Sequence, residues 1–176
     1  IFTNPIYAKV QQRQYSIFKK EYWSNVIKHT GYIFSSPLRW EKKSWLKAAS
    51  ATTITGILIY YDGDIIQFVK NHKNPTLHWI SNFSTPFGDK RYAAPIIGGS
   101  IFIGTIFDNS TLLKIGTDGL EASIISTALL VPFFNKLTGR ELPLYNENPW
   151  KFQFFGPGYS FPSGHTSEAF VLATVI

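Results

Sequence analysis

The stretch that decides the fold reads Phe161-Pro162-Ser163-Gly164-His165-Thr166, and it is followed by an apolar run from Ala169 to Ile176. The apolar run lacks the alternation of polar and apolar side chains that marks a half-buried strand, so it predicts a helix beginning near Thr166. Serine is a residue type that commonly caps helices, and glycine lets the backbone approach its neighbours closely. The sequence therefore predicts a turn that leads directly into a helix.

Three further apolar segments precede this turn, at Ala48 to Tyr61, Ala93 to Phe107 and Leu120 to Phe134. They are too long for typical buried strands and are interpreted as helices. Asp118 stands three residues before Glu121, a capping-box spacing that predicts the start of the third helix at Asp118. Pro132 is expected to kink or end that helix. The predicted fold class is all-α, a helical bundle.

Composition favours a membrane-embedded bundle, with a soluble helical bundle as the alternative. The chain is 44% hydrophobic and contains fifteen Phe, nine Tyr and five Trp, many of them at the ends of the apolar segments. These segments have only 14 or 15 residues each, whereas a full span needs about 20. Basic residues dominate positions 1–44, so the tendency for positive charge to lie inside places 1–44 in the cytoplasm and 136–165 on the outer face.

Two regions are expected along the chain. Residues 1–44 form a basic, aromatic N-terminal arm, either a juxtamembrane segment on anionic lipid or a pair of surface helices. Residues 45–176 form the helical domain. The chain begins at Ile1, contains no Met and breaks off inside an apolar run, so we interpret it as a fragment of a longer protein.

The net charge of +6 fits an anionic partner, but not nucleic acid, since the lysines do not cluster on one helix and no Gly-aromatic RNA-binding motif occurs. The absence of cysteine removes disulfides and thiolate metal sites. No metal site is predicted, because the four histidines lack metal-ligand spacing; they are His29, His72, His78 and His165.

Five residues at the borders of an irregular segment, Gly139 to Pro162, suit phosphate chemistry; they are Lys136, Arg140, Ser163, Gly164 and His165. A helix start presents backbone amides to an anion, and a serine hydroxyl can donate beside them. The two cations are four residues apart, so on one helix they would share a face. Histidine titrates near neutral pH and can protonate a departing alkoxide.

Each residue also has a plainer interpretation. Ser163 can simply cap the helix, and His165 can be an ordinary surface or hydrogen-bonded histidine. Lys136 and Arg140 can complement the dipole at a helix C-terminus. Asp62 and Asp64 are expected to cap the helix that follows them rather than to bind calcium, because the rest of a calcium loop is absent.

With these residues the chain resembles the type 2 phosphatidic acid phosphatase family, which is related to vanadium haloperoxidases and bacterial non-specific acid phosphatases. That family has three signatures: Lys, six residues, Arg-Pro; then Pro-Ser-Gly-His; then Ser-Arg, five residues, His, three residues, Asp. The second is intact at Pro162 to His165. The segments Tyr61 to Asp64, Pro86 to Asp89 and Leu120 to Ala122 also look similar to bacterial members, so the resemblance covers roughly residues 45–176.

The first signature departs from the pattern, and the third does not occur. Counting back from Pro143, the arginine position holds Leu142 and the lysine position holds Asn135, with Lys136 one residue off. Leu142 removes a bidentate phosphate donor that other residues do not readily replace. In the family the third signature supplies the nucleophilic histidine, the aspartate that orients it and a phosphate-binding arginine.

The resemblance implies a metal-independent phosphatase without cofactor that acts on lipid phosphates or small phosphoesters through a phosphohistidine. His165 would be the general acid and then the base that activates water, while Lys136, Arg140, Ser163 and Gly164 would bind phosphate. The nucleophile would lie beyond Ile176, so these residues alone should be inactive. The expected location is the inner membrane with the site facing the periplasm. The alternatives are a weakened or inactive membrane relative and a soluble periplasmic acid phosphatase.

Overall fold

The computed structural model describes residues 16–72, 74–142 and 151–176, and the secondary structure within these ranges is helical. The described residues contain no strand, although an isolated bridge pairs Arg140 with Phe152. The predicted all-α fold class is therefore confirmed. The helices are α1 Lys20–Phe34, α2 Lys42–Tyr60, α3 Asp62–Asn71, α4 Pro75–Gly88, α5 Lys90–Ile106, α6 Ser110–Thr138 and α7 Gly164–Val175, and a 3₁₀ turn spans Ser36–Arg39.

The four apolar segments of the sequence correspond to α2, α5, α6 and α7, so their assignment as helices is confirmed. Helix α1 lies within the basic region 1–44, for which surface helices were one of two expectations; residues 1–15 lie outside the described ranges. The apolar patterns did not predict α3 or α4, because their apolar residues are interrupted by polar ones.

The predicted start of α6 at Asp118 is wrong, because the helix begins eight residues earlier at Ser110. Asn109 is the cap, and its side-chain oxygen accepts hydrogen bonds from the amides of Thr111 at 3.1 Å and Leu112 at 3.0 Å. These two bonds satisfy amides that have no partner inside the helix. Asp118 and Glu121 instead occupy the interior of α6, where their spacing has no capping role.

Pro132 does not end α6, which continues through it to Thr138. The eight residues Ser123–Leu130 immediately before it form a π-helical segment, and the Val131 amide bonds to the Ser126 carbonyl five residues back. Proline has no amide hydrogen and clashes with the carbonyl four residues earlier in an α-helix. The wider π spacing accommodates this disruption without breaking the helix.

The chain divides into two compact units. The first, here called the α5–α7 unit, comprises the described residues 16–31, 84–132 and 163–176. Its core is formed by Ala93, Ile97 and Leu172, with Ile101 and Leu120 packed against them. Helices α5 and α6 form an antiparallel pair joined by a short turn, in which Asp108 has a positive φ of 56°.

The first part of α1 is fixed to α6 inside the α5–α7 unit. The buried Tyr22 hydroxyl donates to the Thr117 carbonyl oxygen at 2.9 Å, and Nδ1 of His29 pairs with the carboxylate of Glu121. Burial, with the negative charges of Glu121 and Asp118 adding to it, raises the pKa of Tyr22 to about 12. The hydroxyl therefore stays protonated and remains a donor throughout the physiological range.

The second unit, here called the α2–α3 unit, comprises the described residues 32–72, 74–83, 133–142 and 151–162. None of the described residues of α2 or α3 is buried, and many of their large apolar side chains are exposed. Examples are Trp45, Ile54, Leu58, Tyr60 and Phe68.

One of the described helices, Ser110–Thr138, is long and apolar enough to cross a membrane by length and composition. It has 29 residues, about 43 Å at 1.5 Å per residue, which exceeds a hydrocarbon thickness of about 30 Å.

The packing of α5 against α6 predicts opposite effects for two Gly→Ala substitutions. A Cβ at Gly116 would lie 2.7 Å from the Ile101 amide nitrogen, whereas a Cβ at Gly99 would have no atom within 4 Å. We expect Gly116→Ala to lower stability by about 1–3 kcal/mol, and Gly99→Ala to raise it by up to about 1 kcal/mol through helix propensity. Thermal unfolding followed by circular dichroism measures both, and equal stability of the two variants would contradict this packing.

Candidate functional site

The predicted turn at residues 162–165 is the N-terminus of α7, which begins at Gly164. Ser163 is the N-cap, and its Oγ accepts a hydrogen bond from the Thr166 amide at 3.3 Å. Both the helix start and the capping role of Ser163 are therefore confirmed. The Ser163 hydroxyl hydrogen is not used by this bond, since a serine oxygen accepts through its lone pairs while its O–H remains a donor.

His165 lies in the first turn of α7 and is exposed, although its backbone packs closely against Gly88 at the end of α4. A Cβ built on Gly88 would lie 2.9 Å from the His165 carbonyl carbon and 2.9 Å from its Cβ. No side chain fits this space without displacing the helix start. Gly88 therefore allows the end of α4 to approach the backbone of His165 closely.

Asp89 follows Gly88 directly and brings a carboxylate to this part of the unit. It caps α5, accepting from the Arg91 amide at 2.9 Å and pairing with the Arg91 guanidinium at 2.6 Å. Side-chain and backbone hydrogen bonds from Arg91 lower the pKa of Asp89 to about 2, and the positive charge of His165 acts in the same direction. Asp89 is thus a permanent negative charge within electrostatic range of His165.

Two hydrogen bonds fix α7 against the π-helical segment of α6. The Ser123 hydroxyl donates to the buried Glu168 carboxylate at 2.7 Å, and the hydroxyls of Thr127 and Ser167 are 3.0 Å apart. Glu168 is almost fully buried, so its carboxylate is satisfied by this hydrogen bond more than by water. These contacts set the rotation of α7 about its axis and thereby the direction in which its first turn faces.

Lys136 lies in the last turn of α6 and is exposed. Gly139, with a φ of +55°, ends the helix, and its amide donates to the Asn135 carbonyl at 2.8 Å. Arg140 therefore lies beyond the helix, and the expectation that Lys136 and Arg140 share a helix face is wrong. A left-handed glycine is a common helix terminator, so the Thr138-Gly139 step was the signal that could have shown this.

Arg140 is buried in the α2–α3 unit and forms a salt bridge with Asp62. Its guanidinium also lies over the Phe152 ring, 5.8 Å from the ring centroid. Asp62 and Asp64 occupy the first turn of α3, but no side chain caps that helix, so the predicted capping role is wrong. Arg140 binds the Asp62 carboxylate instead. A phosphate that binds Arg140 would have to share the guanidinium with Asp62 or displace Asp62 from it.

The two described ends of the irregular segment, 139–142 and 151–162, are hydrogen-bonded to each other in the α2–α3 unit. The Thr138 hydroxyl donates to the Phe161 carbonyl at 2.7 Å, and the Ser160 amide donates to the Arg140 carbonyl at 3.0 Å. A salt bridge of 3.0 Å joins Lys151 to Glu141. Residues 143–150, which include the signature position Pro143, lie outside the described residues.

The two residues that depart from the first family signature differ in burial. Asn135 is 7% exposed, and its Oδ1 has no hydrogen-bond partner among the described residues. Leu142 is 41% exposed. An unpaired buried amide oxygen is costly, and no described group donates to Asn135 Oδ1.

The structure thus brings Ser163, Gly164 and His165 together at one helix start in the α5–α7 unit, whereas Lys136 and Arg140 belong to the α2–α3 unit. Sequence reasoning did not assign roles to Gly88 and Asp89. The signal was present, since the segment Pro86 to Asp89 was one of the stretches that carried the family resemblance. Among the described residues, no group of three or more His, Asp or Glu is arranged to hold a metal ion.

Comparisons of the chain with protein-family models, with curated proteins and with solved structures each found no match.

Substitution of Gly88 tests whether this residue positions His165. We expect Gly88→Ala to displace the first turn of α7, lowering stability by about 1–3 kcal/mol and shifting the His165 ring signals in an NMR spectrum. Gly56→Ala is the matched control, because a Cβ there would have no atom within 4 Å. Unchanged His165 signals in Gly88→Ala would show that the close approach is not present in solution.

Acid titration tests the Asp89–Arg91 pair. Because the pKa of Asp89 in the folded chain is about 2, below its usual value of 3.8, the pair adds stability above about pH 4 that is lost as the pH falls toward 2. Asp89→Asn should remove this contribution, and Arg91→Gln should return the Asp89 pKa toward 3.8. An NMR titration of the Asp89 carboxyl group measures this pKa directly. A midpoint near pH 3.8 in the unsubstituted chain would contradict the pairing with Arg91.

Proposed function

We propose that this chain carries part of the active site of a membrane-embedded, metal-independent phosphatase that hydrolyses lipid-linked phosphomonoesters or diphosphates. One observation carries the proposal: the Pro-Ser-Gly-His sequence lies at the N-terminus of a twelve-residue helix, with Ser163 as its cap and an exposed histidine in its first turn. This arrangement offers a hydroxyl, backbone amides and a proton donor to one anion.

Binding of the phosphoryl oxygens is assigned to Ser163 and the first amides of α7. The first amides of a helix have no intrahelical partner, and the helix dipole favours negative charge beside them. Of these, the Thr166 amide is used by the Ser163 cap, which leaves those of Gly164 and His165 for an anion. The family resemblance also implies a phosphate-binding role for Lys136, which lies exposed in the last turn of α6 and belongs to the α2–α3 unit.

His165 is assigned as the general acid that protonates the leaving alcohol and then as the base that activates water. Its exposure in the first turn of α7 allows contact with substrate. The resemblance implies attack by a second histidine, in a signature that does not occur among these residues. The chain by itself should therefore bind phosphate without turning over phosphoesters.

The membrane location is supported by the exposed apolar surface. Only 22% of the most apolar 18-residue stretch of α6 is buried within the structure, whereas the core helix of a soluble protein is mostly buried. In the α2–α3 unit, α2 and α3 also expose Trp, Tyr, Ile and Leu side chains, with Trp and Tyr near the ends of α2 as in a membrane interface. We place the site on the periplasmic side of the inner membrane.

A second candidate, a membrane-embedded relative with weakened or no activity, is favoured by one specific observation. Arg140 is buried and bound to Asp62, so its guanidinium is already engaged by a carboxylate. Asn135 and Leu142 replace the two cations of the first family signature. In this candidate the helix start would retain anion affinity, while charge stabilisation in the transition state would be too small for catalysis.

A phosphate titration followed by the His165 ring signals in NMR tests the proposed site. We expect inorganic phosphate to shift these signals, while the signals of His78 in α4 serve as the internal control. Ser163→Gly should weaken binding roughly tenfold or more, because it removes a hydrogen bond to a charged group, while glycine retains most of the capping preference.

The absence of a phosphate-dependent shift at His165 would refute the assigned site. Robust phosphate release from a lipid phosphate by these 176 residues alone would refute the phosphohistidine mechanism, because the assigned nucleophile is not among them.

A further inference from the structure

A cavity of about 450 Å³ lies in the α5–α7 unit, along the groove between α5 and α6. Its walls are largely carbon, from Ala94, Ile97 and Ile101 of α5 and from Leu120 and Ile124 of α6. Pockets of this volume and composition commonly hold small ligands, with a few polar groups fixing their orientation. The described charged residues that line it are Lys90 and Glu168.

The two charged residues lie at different levels of the groove. Gly119 of α6 lies opposite Ile97 of α5, since a Cβ at Gly119 would contact the Ile97 side chain. Because the two helices are antiparallel, this pair shows which residues of α5 and α6 lie at the same level. Ser123, one turn further along α6, therefore lies near the level of Ala94, and Lys90 lies one turn beyond that. Lys90 thus marks the mouth of the groove, next to Asp89 and close in sequence to Gly88, against which His165 packs.

Lys90 is suited to an anionic head group. It is exposed at the first position of α5 and forms no ion pair within the described residues. From Lys90 to Ile101 the groove runs about 16 Å at 1.5 Å per residue, the extended length of a chain of about twelve carbons. A cation at one end of an apolar groove complements an amphiphile with one negative end.

Glu168 adds a second requirement. Its carboxylate is buried in the wall and receives one hydrogen bond, from Ser123, among the described residues. A bare hydrocarbon chain against this carboxylate would offer no donor to the acceptor positions that Ser123 leaves unfilled, which is unfavourable. A ligand with a hydroxyl or amine between its negative end and its chain would donate to Glu168 at about one helical turn, roughly 6 Å, below Lys90.

We propose that this groove binds the hydrocarbon chain of a single-chain phosphorylated amphiphile, with the phosphate at the Lys90 end and a hydrogen-bond donor facing Glu168. The inference rests on the proposed function, because it places the chain of the substrate whose phosphate the start of α7 binds. Each methylene buried in the groove raises affinity roughly fourfold. The groove, rather than the phosphate site, would then determine which lipid phosphate is preferred.

The test uses a photoreactive probe, a twelve-carbon lysophosphatidic acid with a diazirine in its chain, added to the chain in lipid nanodiscs. Mass spectrometry of the cross-linked peptides then locates the chain. We expect labelling in segments 94–101 and 120–128, and competition by the unlabelled lipid. Dodecyl phosphate, which lacks the hydroxyl, should compete several-fold less well; equal competition would overturn the role given to Glu168.

Two neighbouring glycines provide a matched pair of variants. Gly98 lines the groove and Gly99 does not, and a Cβ at either position would have no atom within 4 Å. Gly98→Leu should fill part of the groove and displace one or two methylenes of the lipid chain from it. Because each buried methylene contributes roughly fourfold to affinity, labelling should fall about tenfold. Gly99→Leu, of identical composition, should stay within twofold of the unsubstituted chain.

Equal labelling of the two variants, or labelling that maps outside the groove, would overturn the proposal. The phosphate titration separates this failure from failure of the proposed function. A phosphate-dependent His165 shift without groove labelling would leave the phosphatase assignment standing and remove the chain site. Groove labelling without any phosphate effect on His165 would support the chain site and remove the assigned phosphate site.

Discussion

The close approach of the His165 backbone to Gly88 is the constraint on which the candidate site depends. With no room for a Cβ between them, the end of α4 and the start of α7 are held at one separation within the α5–α7 unit. The buried Ser123–Glu168 hydrogen bond then fixes the rotation of α7 one turn further along. A helix start held at two points is a rigid support for the role in phosphoryl transfer that we propose for His165.

The same constraint connects the chemistry to the neighbouring groove. Asp89 follows Gly88 and caps α5, and Lys90 is the first residue of α5. The Asp89–Arg91 pair and a cation at the mouth of an apolar cavity are therefore adjacent in the chain. If the proposed function and the proposed chain site hold, substrate selection and phosphate binding share a single structural element, the α4–α5 junction.

The sequence predicted the type of the helices better than their ends. Apolar runs identified α2, α5, α6 and α7. A helix that is buried or in contact with lipid needs an apolar run, whichever elements pack against it. The start of α6 was wrong because the Asp118–Glu121 spacing imitates a cap, while the actual cap, Asn109, follows a residue with positive φ. Pro132, which was expected to kink or end the helix, does not end it, because the π-helical spacing of Ser123–Leu130 accommodates a residue without an amide hydrogen.

The candidate site was predictable where its residues are contiguous and not where they are distant in sequence. Ser163, Gly164 and His165 form a local motif with a local structural role. The pairing of Arg140 with Asp62 spans 78 residues, and no local pattern indicates which carboxylate an arginine will meet. Gly88 stood out in the sequence only because it belongs to Pro86 to Asp89, a segment that resembles the family. That a side chain cannot fit at this position follows from the packing of α4 against α7, which the sequence alone does not show.

The most direct measurement of the central claim is an experimental structure of this chain soaked with vanadate, an oxyanion that mimics phosphoryl transfer. The account predicts vanadate at the start of α7, with its oxygens within hydrogen-bond distance of the Ser163 hydroxyl and the Gly164 amide and with the His165 ring beside it. Vanadate bound elsewhere, or an α7 start whose amides and imidazole face no anion at saturating concentration, would contradict it.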